Sequence, residues 1–237
     1  MNKNNSQEII EKIRDDYDLI AKEWDLSRNR ASKVKINLIS EIKPENKVLD
    51  IGCGNALMLP FVLEKGAFYC GIDISKNLIE ISKKKYKKEI EEKKAKFFVE
   101  QATKLSFQNE EFDFVISFAV LHHIPSKELR KKFFEEIKRV SKSNAKVKII
   151  VWNLLSDWAN KRFNIKSQLD GKKSGNVLIP WKATREEIIN RYYYQFSKKE
   201  LLSLAKDVEF KNIKINFFDK AGKQKENGEE IVLEMEV

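Results

Sequence analysis

VLDIGCGN at residues 48–55, a helical stretch from Leu57 to Glu64 and FYCGIDI at residues 68–74 decide the fold. An apolar run that meets a glycine turn, a helix and a second apolar run is a βαβ unit, and repetition of that unit makes a parallel sheet. The repetition is present. A helix is predicted from about Lys76 to Lys94, followed by runs at 95–100 (AKFFVE), 112–121 (FDFVISFAVL) and 145–152 (AKVKIIVW). A helix over 126–142 separates the last two. Upstream, Ile9, Ile10, Ile13, Tyr17, Ile20 and Trp24 repeat at helical spacing, as do Val34, Ile36, Leu38, Ile39 and Ile42 before Pro44 stops the pattern. Downstream, a helix over about 198–206 and strands near 209–217 and 230–236 suggest a mixed α/β sheet with one antiparallel member. Residues 153–196 break the alternation and are too long for an ordinary connection, which marks a functional insertion.

The chain has 237 residues, 42% hydrophobic and 11% aromatic, enough for a sizeable core in a single domain. No apolar stretch is long enough to span a membrane. The first 18 residues are polar and lack the apolar core of a secretory signal, so a cytoplasmic protein is expected. Two cysteines, Cys53 and Cys70, allow no disulfide framework and no four-cysteine zinc site. The net charge of +10 has two readings, a solvated lysine-rich surface or an anionic partner. Residues 83–96 hold eight lysines interleaved with Glu89, Glu91 and Glu92, as on a solvated helix face. Residues 161–199 instead hold ten Lys or Arg against three acids, mixed with Trp181 and Tyr192–Tyr194. Phosphate contact plus base stacking would use that mixture.

Gly52 and Gly54 fall where a strand turns into a helix, and glycines there let the backbone approach a ligand. Asp73 ends the second strand, where an acid can accept both ribose hydroxyls of an adenosine. The third glycine of a dinucleotide fingerprint is absent, its place taken by Leu57. Asp50, ahead of the first glycine, points instead to a cofactor with a cationic end, such as S-adenosylmethionine.

On these motifs residues 46–152 resemble the class I S-adenosylmethionine-dependent methyltransferases. That resemblance implies a Rossmann-like mixed seven-stranded sheet with helices on both faces, and a cofactor site at Asp50, Gly52, Gly54, Asp73, Ile74, Gln101, Ala102 and Phe118. YDLIAKEWDLSR (17–28), SFAVLHHI (117–124), IIVW (149–152), NVLIPW (176–181) and RYYYQF (191–196) further resemble the tRNA wobble-uridine carboxymethyl methyltransferases. Members of that family esterify a carboxymethyl group in the anticodon loop, in eukaryotes with a small zinc-containing activator protein. The resemblance implies tRNA as substrate and such an activator as a partner. Here Ala56 stands for the family's third glycine, Gln101 precedes Ala102 in place of an acid, and Tyr194 replaces a histidine.

A methylated carboxylate is already ionised and needs counter-charge rather than a base. Arg28 and Arg191 are the candidates, because the planar guanidinium grips carboxylate bidentately. His122 and His123 are the only histidines; adjacent side chains diverge, so one is expected to meet the substrate and the other to pack or cap the next helix. With no third ligand at suitable spacing, no metal site is expected. Tyr192 joins the catalytic set, and Trp181 with Tyr192 could stack an extruded base, with Trp152 at the end of strand five nearby. Trp24 and Trp158 read as core, and Lys172, Lys173 and Lys182 as phosphate contacts. The expected organisation is an N-terminal helical part (1–45), a cofactor core (46–152), a basic aromatic substrate insertion (153–196) and a closing helix and strands (197–237). Two alternatives remain open at this level. One is a methyltransferase acting on a small molecule of the quinone-precursor type. The other is a non-catalytic cofactor-binding module associated with RNA.

Overall fold

The computed structural model describes residues 3–171, 175–182 and 188–237. Helices α1 (Lys3–Leu19), α2 (Ala21–Ser27) and α3 (Lys33–Leu38) lead into β1 (Lys47–Ile51), α4 (Leu59–Leu63) and β2 (Phe68–Asp73). Next come α5 (Lys76–Lys85), α6 (Lys87–Glu91), β3 (Ala95–Val99) and β4 (Phe112–Phe118). A short 3₁₀ turn, Leu121–His123, precedes α7 (Lys127–Val140) and β5 (Ser141–Trp152). The insertion forms α8 (Asp157–Phe163), α9 (Ile165–Leu169), β6 (Asn176–Lys182) and β7 (Ile188–Tyr194). Helix α10 (Lys198–Asp207) and strands β8 (Lys211–Phe218) and β9 (Glu230–Glu236) close the chain.

The main sheet has seven strands in the order β3-β2-β1-β4-β5-β9-β8. Strands β1 to β5 pair in parallel, and β9 runs antiparallel to both neighbours, which makes it the one reversed member. Alternation along each strand sends side chains to opposite faces, so both faces must be covered. Leu49 and Ile51 join Val115, Phe133 and Phe134 of α7, and Leu201 and Leu204 of α10, on one face. Val48 and Ile116 pack with Val34 and Leu38 of α3, Leu59 and Val62 of α4, and Ile79 of α5 on the other. The chain order reverses between β1 and β4, which opens a crevice at their C-terminal ends where ligands bind in open α/β sheets.

Several elements differ from the sequence expectation: the helical pattern from Ile9 to Trp24 divides into α1 and α2, and β5 begins at Ser141, within the helix expected over 126–142. The helix expected over 76–94 divides at Tyr86, whose backbone leaves the helical region (φ −115°, ψ 35°) while its ring is buried against Phe97. The helix expected over 33–43 keeps regular form only to Leu38. The strand expected over 112–121 stops at Phe118, because Ala119 turns the chain at φ 68° and sends Val120 back toward β1. The insertion carries a two-stranded antiparallel sheet of its own, β6 with β7, in which Ile179 faces Arg191 and Val177 faces Tyr193. Val177, Ile179 and Tyr193 share a core with Leu154, Ala159 and Ile165, which fixes the hairpin to the two helices before it. No helix among the described residues is long and apolar enough to cross a membrane.

Candidate active site

The crevice opens into a cleft of about 980 Å³, at the upper end of the range usual for ligand sites. Its floor is the turn after β1. Gly52 (φ +73°) and Gly54 (φ +56°) lie in the left-handed region, and a Cβ on Gly52 would overlap Val120 Cγ2. The turn thereby presents bare backbone to the cleft. Asp73 at the tip of β2 accepts from the Gly54 and Ser75 backbone N–H groups, each at 2.9 Å, so it braces the glycine turn as well as facing the cleft. Burial raises its carboxyl to about 6. Asp50 is also buried; burial raises it to about 7, against the opposing pull of the Tyr69 hydroxyl that donates to it at 2.6 Å. Lys35 is the cation nearest this end, lying 5.7 Å from the Phe118 ring centre, and burial lowers its ammonium while Glu230 and Asp50 oppose the shift.

Helices α1 and α2 form one wall. The Asp18 carboxylate accepts from the Ser75 hydroxyl (2.6 Å) and the Asn77 backbone N–H (2.9 Å), which fastens α1 to the start of α5. Asn55 in the glycine turn donates to Asp25 (2.9 Å) and to the Arg28 carbonyl (2.8 Å), which fastens the end of α2. Trp24 consequently stands over Gly54.

Deeper along the cleft two guanidiniums converge on one pair of indoles. Arg28 lies 4.7 Å from the Trp24 ring centre and 5.6 Å from that of Trp181. Arg191 lies 4.8 Å from Trp181 and 5.9 Å from Trp24. Arg191 is 2% exposed, yet neither arginine has a carboxylate within ion-pair distance among the described residues. Arg191 Nε has no hydrogen-bond partner there. Its Nη1 donates to the Tyr17 hydroxyl at 3.1 Å, and that hydroxyl lies 2.9 Å from His123 Nε2. His123 Nδ1 lies 2.8 Å from the Tyr192 carbonyl, which can only accept, so Nδ1 carries the proton and Nε2 accepts from Tyr17. Burial, with Arg191 nearby, lowers the His123 imidazole to about 3.

The structure brings together all eight residues expected at the cofactor, with Arg28, His123, Arg191, Trp152, Trp181 and Lys182 around the same cleft. Two expected residues lie outside it. His122 is buried behind, stacked on Tyr193 at 4.8 Å, with its Nδ1 accepting from the Trp152 backbone N–H at 3.2 Å; it is the histidine that packs. Tyr192 points away because neighbouring residues of a strand face opposite sides. With Arg191 and Tyr193 directed inward, the Tyr192 hydroxyl donates to Asn176 (2.7 Å) and cannot stack a base beside Trp181. Lys172 and Lys173 lie outside the described residues. Trp24 and Trp158, read as core, line the cleft, and so does Tyr17, which the sequence reading did not single out. The signal for Tyr17 and Trp24 was the 17–28 motif itself, in which they are seven residues apart on one helical face. Among the described residues no group of three or more His, Cys, Asp or Glu could hold a metal ion.

Residues 49–149 match the family described as Methyltransferase domain. The chain is 36% identical over 150 residues, 60% of its length, to the tRNA (carboxymethyluridine(34)-5-O)-methyltransferase of Arabidopsis thaliana. It is 29% identical over 144 residues, 59% of its length, to the demethylmenaquinone methyltransferase of Bacillus mycoides. These matches span 34% and 59% of the two relatives' own lengths. The fold superposes with a TM-score of 0.65 and 24% identity on an S-adenosylmethionine-dependent methyltransferase of Methanosarcina mazei, covering 87% of this chain and 97% of that one. The residues present fit that cofactor. The bare Gly52–Gly54 backbone admits close approach, Asp73 faces the cleft with lone pairs free for ribose hydroxyls, and Asp50 is a buried acid to oppose a cation. Residues 49–149 thus carry a methyltransferase domain by sequence, and the strand order of the whole sheet is the fold shared with the S-adenosylmethionine-dependent methyltransferase on which it superposes.

Proposed function

We propose that the acceptor is a carboxylate, and that it is the carboxymethyl group of the wobble uridine in tRNA. The observation that carries this reading is the pair of guanidiniums, Arg28 and Arg191, directed at one space between Trp24 and Trp181 with no carboxylate counter-ion among the described residues. Two like charges held together in a water-poor cleft favour an anion between them. S-adenosylmethionine supplies a methyl group activated by a positively charged sulfur. The chain's task is then to hold the acceptor oxygen in line and to exclude water.

Each residue has a part in that task. Arg191 keeps one face of its fork free, while Tyr17 fixes the other through Nη1. His123 orients Tyr17 and is no base, since both ring nitrogens are engaged and its imidazole titrates near 3. A carboxylate, ionised near pH 4, needs none. The name of the Arabidopsis relative and the cations at the cleft mouth, Arg30 and Lys182, support RNA as the carrier of the acceptor.

The demethylmenaquinone relatives and the apolar walls of the cleft favour a second reading, an uncharged aromatic acceptor. Such an acceptor would leave both guanidiniums unpaired and would require a base beside them. One experiment separates the readings. The protein is incubated with methyl-labelled cofactor and tRNA from a strain lacking the gene, and the nucleosides are then analysed. Label on the wobble uridine, released as methanol by mild alkali, is expected. Alkali-stable label refutes the ester. Label on a demethylated quinone with none on tRNA selects the second reading, and bound cofactor with no transfer to either selects a non-catalytic module. With a carboxylate acceptor, kcat should also stay nearly flat from about pH 6.5 to 8.5.

A further inference from the structure

The cleft does not end at the arginine pair. Tyr193 stands 5.3 Å from the Arg191 guanidinium, Trp152 lies 5.2 Å from Tyr193, and Trp158 lies 6.0 Å from Trp152 at 82°. These rings pack in sequence from Arg191 into the insertion: Tyr193 is buried behind the cleft, and Trp152 and Trp158 line it. At its far end Lys220, from the loop after β8, sits 3.6 Å from the centre of the Trp158 ring. Arg162, from α8, lies 6.0 Å from the same ring and 5.5 Å from Phe163. Both cations are exposed, Trp158 is half-buried, and all three line the cleft. Neither cation is paired with a carboxylate among the described residues. Lys220 feels the attraction of Glu229 and Glu230 of the same cleft as well as the repulsion of Arg162, and two segments nearly sixty residues apart in sequence hold the two cations at one indole.

A flat ring flanked by two unpaired cations matches one chemistry closely. Lys220 lies over the indole face; an entering nucleotide would draw its ammonium onto the phosphate, stack its base on the face thus freed, and offer the same phosphate to Arg162. We propose that Trp158, Arg162 and Lys220 form a second nucleotide subsite, which receives the residue next to the acceptor nucleotide in a single-stranded RNA loop. The proposal rests on RNA as the acceptor's carrier. It adds that the enzyme reads a strand rather than a free nucleoside. Trp152, which lines the cleft and packs on Trp158 and on the buried Tyr193, links the two subsites, so that binding the neighbour positions the acceptor at Arg28 and Arg191.

The test uses two substrates and one binding probe. kcat/KM is measured for 5-carboxymethyluridine as the free nucleoside and for an anticodon stem-loop carrying it at the wobble position. Binding of a fluorescein-labelled single-stranded RNA heptamer is followed by anisotropy, with no methyl transfer required. Trp158→Ala, Arg162→Gln and Lys220→Gln should each lower the stem-loop to nucleoside ratio of kcat/KM about tenfold. Each should weaken heptamer binding by a similar factor, and Trp158→Phe should restore most of both. Because Trp158 also packs on Trp152 and Phe163, the two cation variants carry the test if Trp158→Ala fails to fold. A ratio unchanged in the cation variants overturns the subsite and leaves the wobble-uridine reading standing. Heptamer binding that depends on Trp158 and both cations, with no methylation of either substrate, has the reverse meaning: the subsite stands and the acceptor assignment fails.

Discussion

Asp50 and Asp73 are buried acids whose protons leave near neutral pH, at about 7 and about 6, because burial penalises their charged forms. In the unfolded chain both would ionise near 4. Between about pH 4 and 7 the cofactor-free folded state therefore holds more protons than the unfolded one, so its stability falls as pH rises through that window and levels off above it. A cationic ligand reverses the logic by stabilising the ionised Asp50. Replacement of Asp50 by Asn removes the buried charge while keeping an acceptor for Tyr69. The cofactor-free variant should melt several degrees above wild type at pH 8, reflecting on the order of a few kcal/mol. Its affinity for S-adenosylmethionine should fall at least tenfold by calorimetry, the scale of a lost charge-assisted hydrogen bond. A variant that melts lower at pH 8 would mean that Asp50 stabilises the fold through Lys35 and Tyr69 and is no site of stored strain. Asp73 needs a milder replacement. Alanine would strand the Gly54 and Ser75 N–H groups, whereas Asp73→Asn still offers them an oxygen and isolates the loss of charge.

At the scale of elements, the site is a core crevice closed by two appendages, helices α1–α2 and the β6–β7 hairpin. The two arginines proposed to hold the acceptor come one from each. Arg28 follows the last residue of α2 and is half-exposed, whereas Arg191 is interior to the hairpin and supports it. They therefore answer mutation differently. Arg28→Lys keeps the charge but loses the fork, and turnover should drop tenfold or more with Tm within about 2 °C of wild type. Arg191→Lys should lose both activity and stability, because a buried ammonium cannot reproduce the contacts of the guanidinium with Trp181 and Tyr193. Equal losses of Tm in the two variants would contradict this division. The same contrast shows what the sequence carried. VLDIGCGN and FYCGIDI made the crevice and the residues that line its floor legible, since strand, glycine turn and terminal acid follow each other locally. The hairpin was harder to read. The run of Tyr192, Tyr193 and Tyr194 shows no polar alternation, so nothing local told which tyrosine faces the site. Trp24 at least lay inside the 17–28 motif, whereas Trp158 reaches the cleft only through long-range packing, with Lys220 over its ring.

Over the whole molecule the charge of +10 divides into cations that are neutralised locally and cations that are not. On α5 and α6, Lys83 pairs with Glu80 at 3.5 Å, Lys87 with Glu91 at 3.7 Å and Lys88 with Glu92 at 3.8 Å, each one helical turn apart. Such exposed pairs contribute little to stability, but they cancel the field of that face. Around the cleft mouth Arg30 and Lys182 have no such partner among the described residues. Net charge alone would treat the two sets alike, whereas counterion release depends on which cations touch phosphate. The Arg30→Gln/Lys182→Gln double variant should flatten the plot of log affinity for tRNA against log salt by roughly 1–2, the value for losing two phosphate contacts. The Lys87→Gln/Lys88→Gln double variant removes the same formal charge from the molecule and should leave that slope unchanged. If both variants flatten it equally, tRNA association is driven by the summed field and the cleft mouth is no phosphate track. If only the first does, the orientation of the nucleic acid is set at the cleft mouth, beside the space proposed for the acceptor between Arg28 and Arg191.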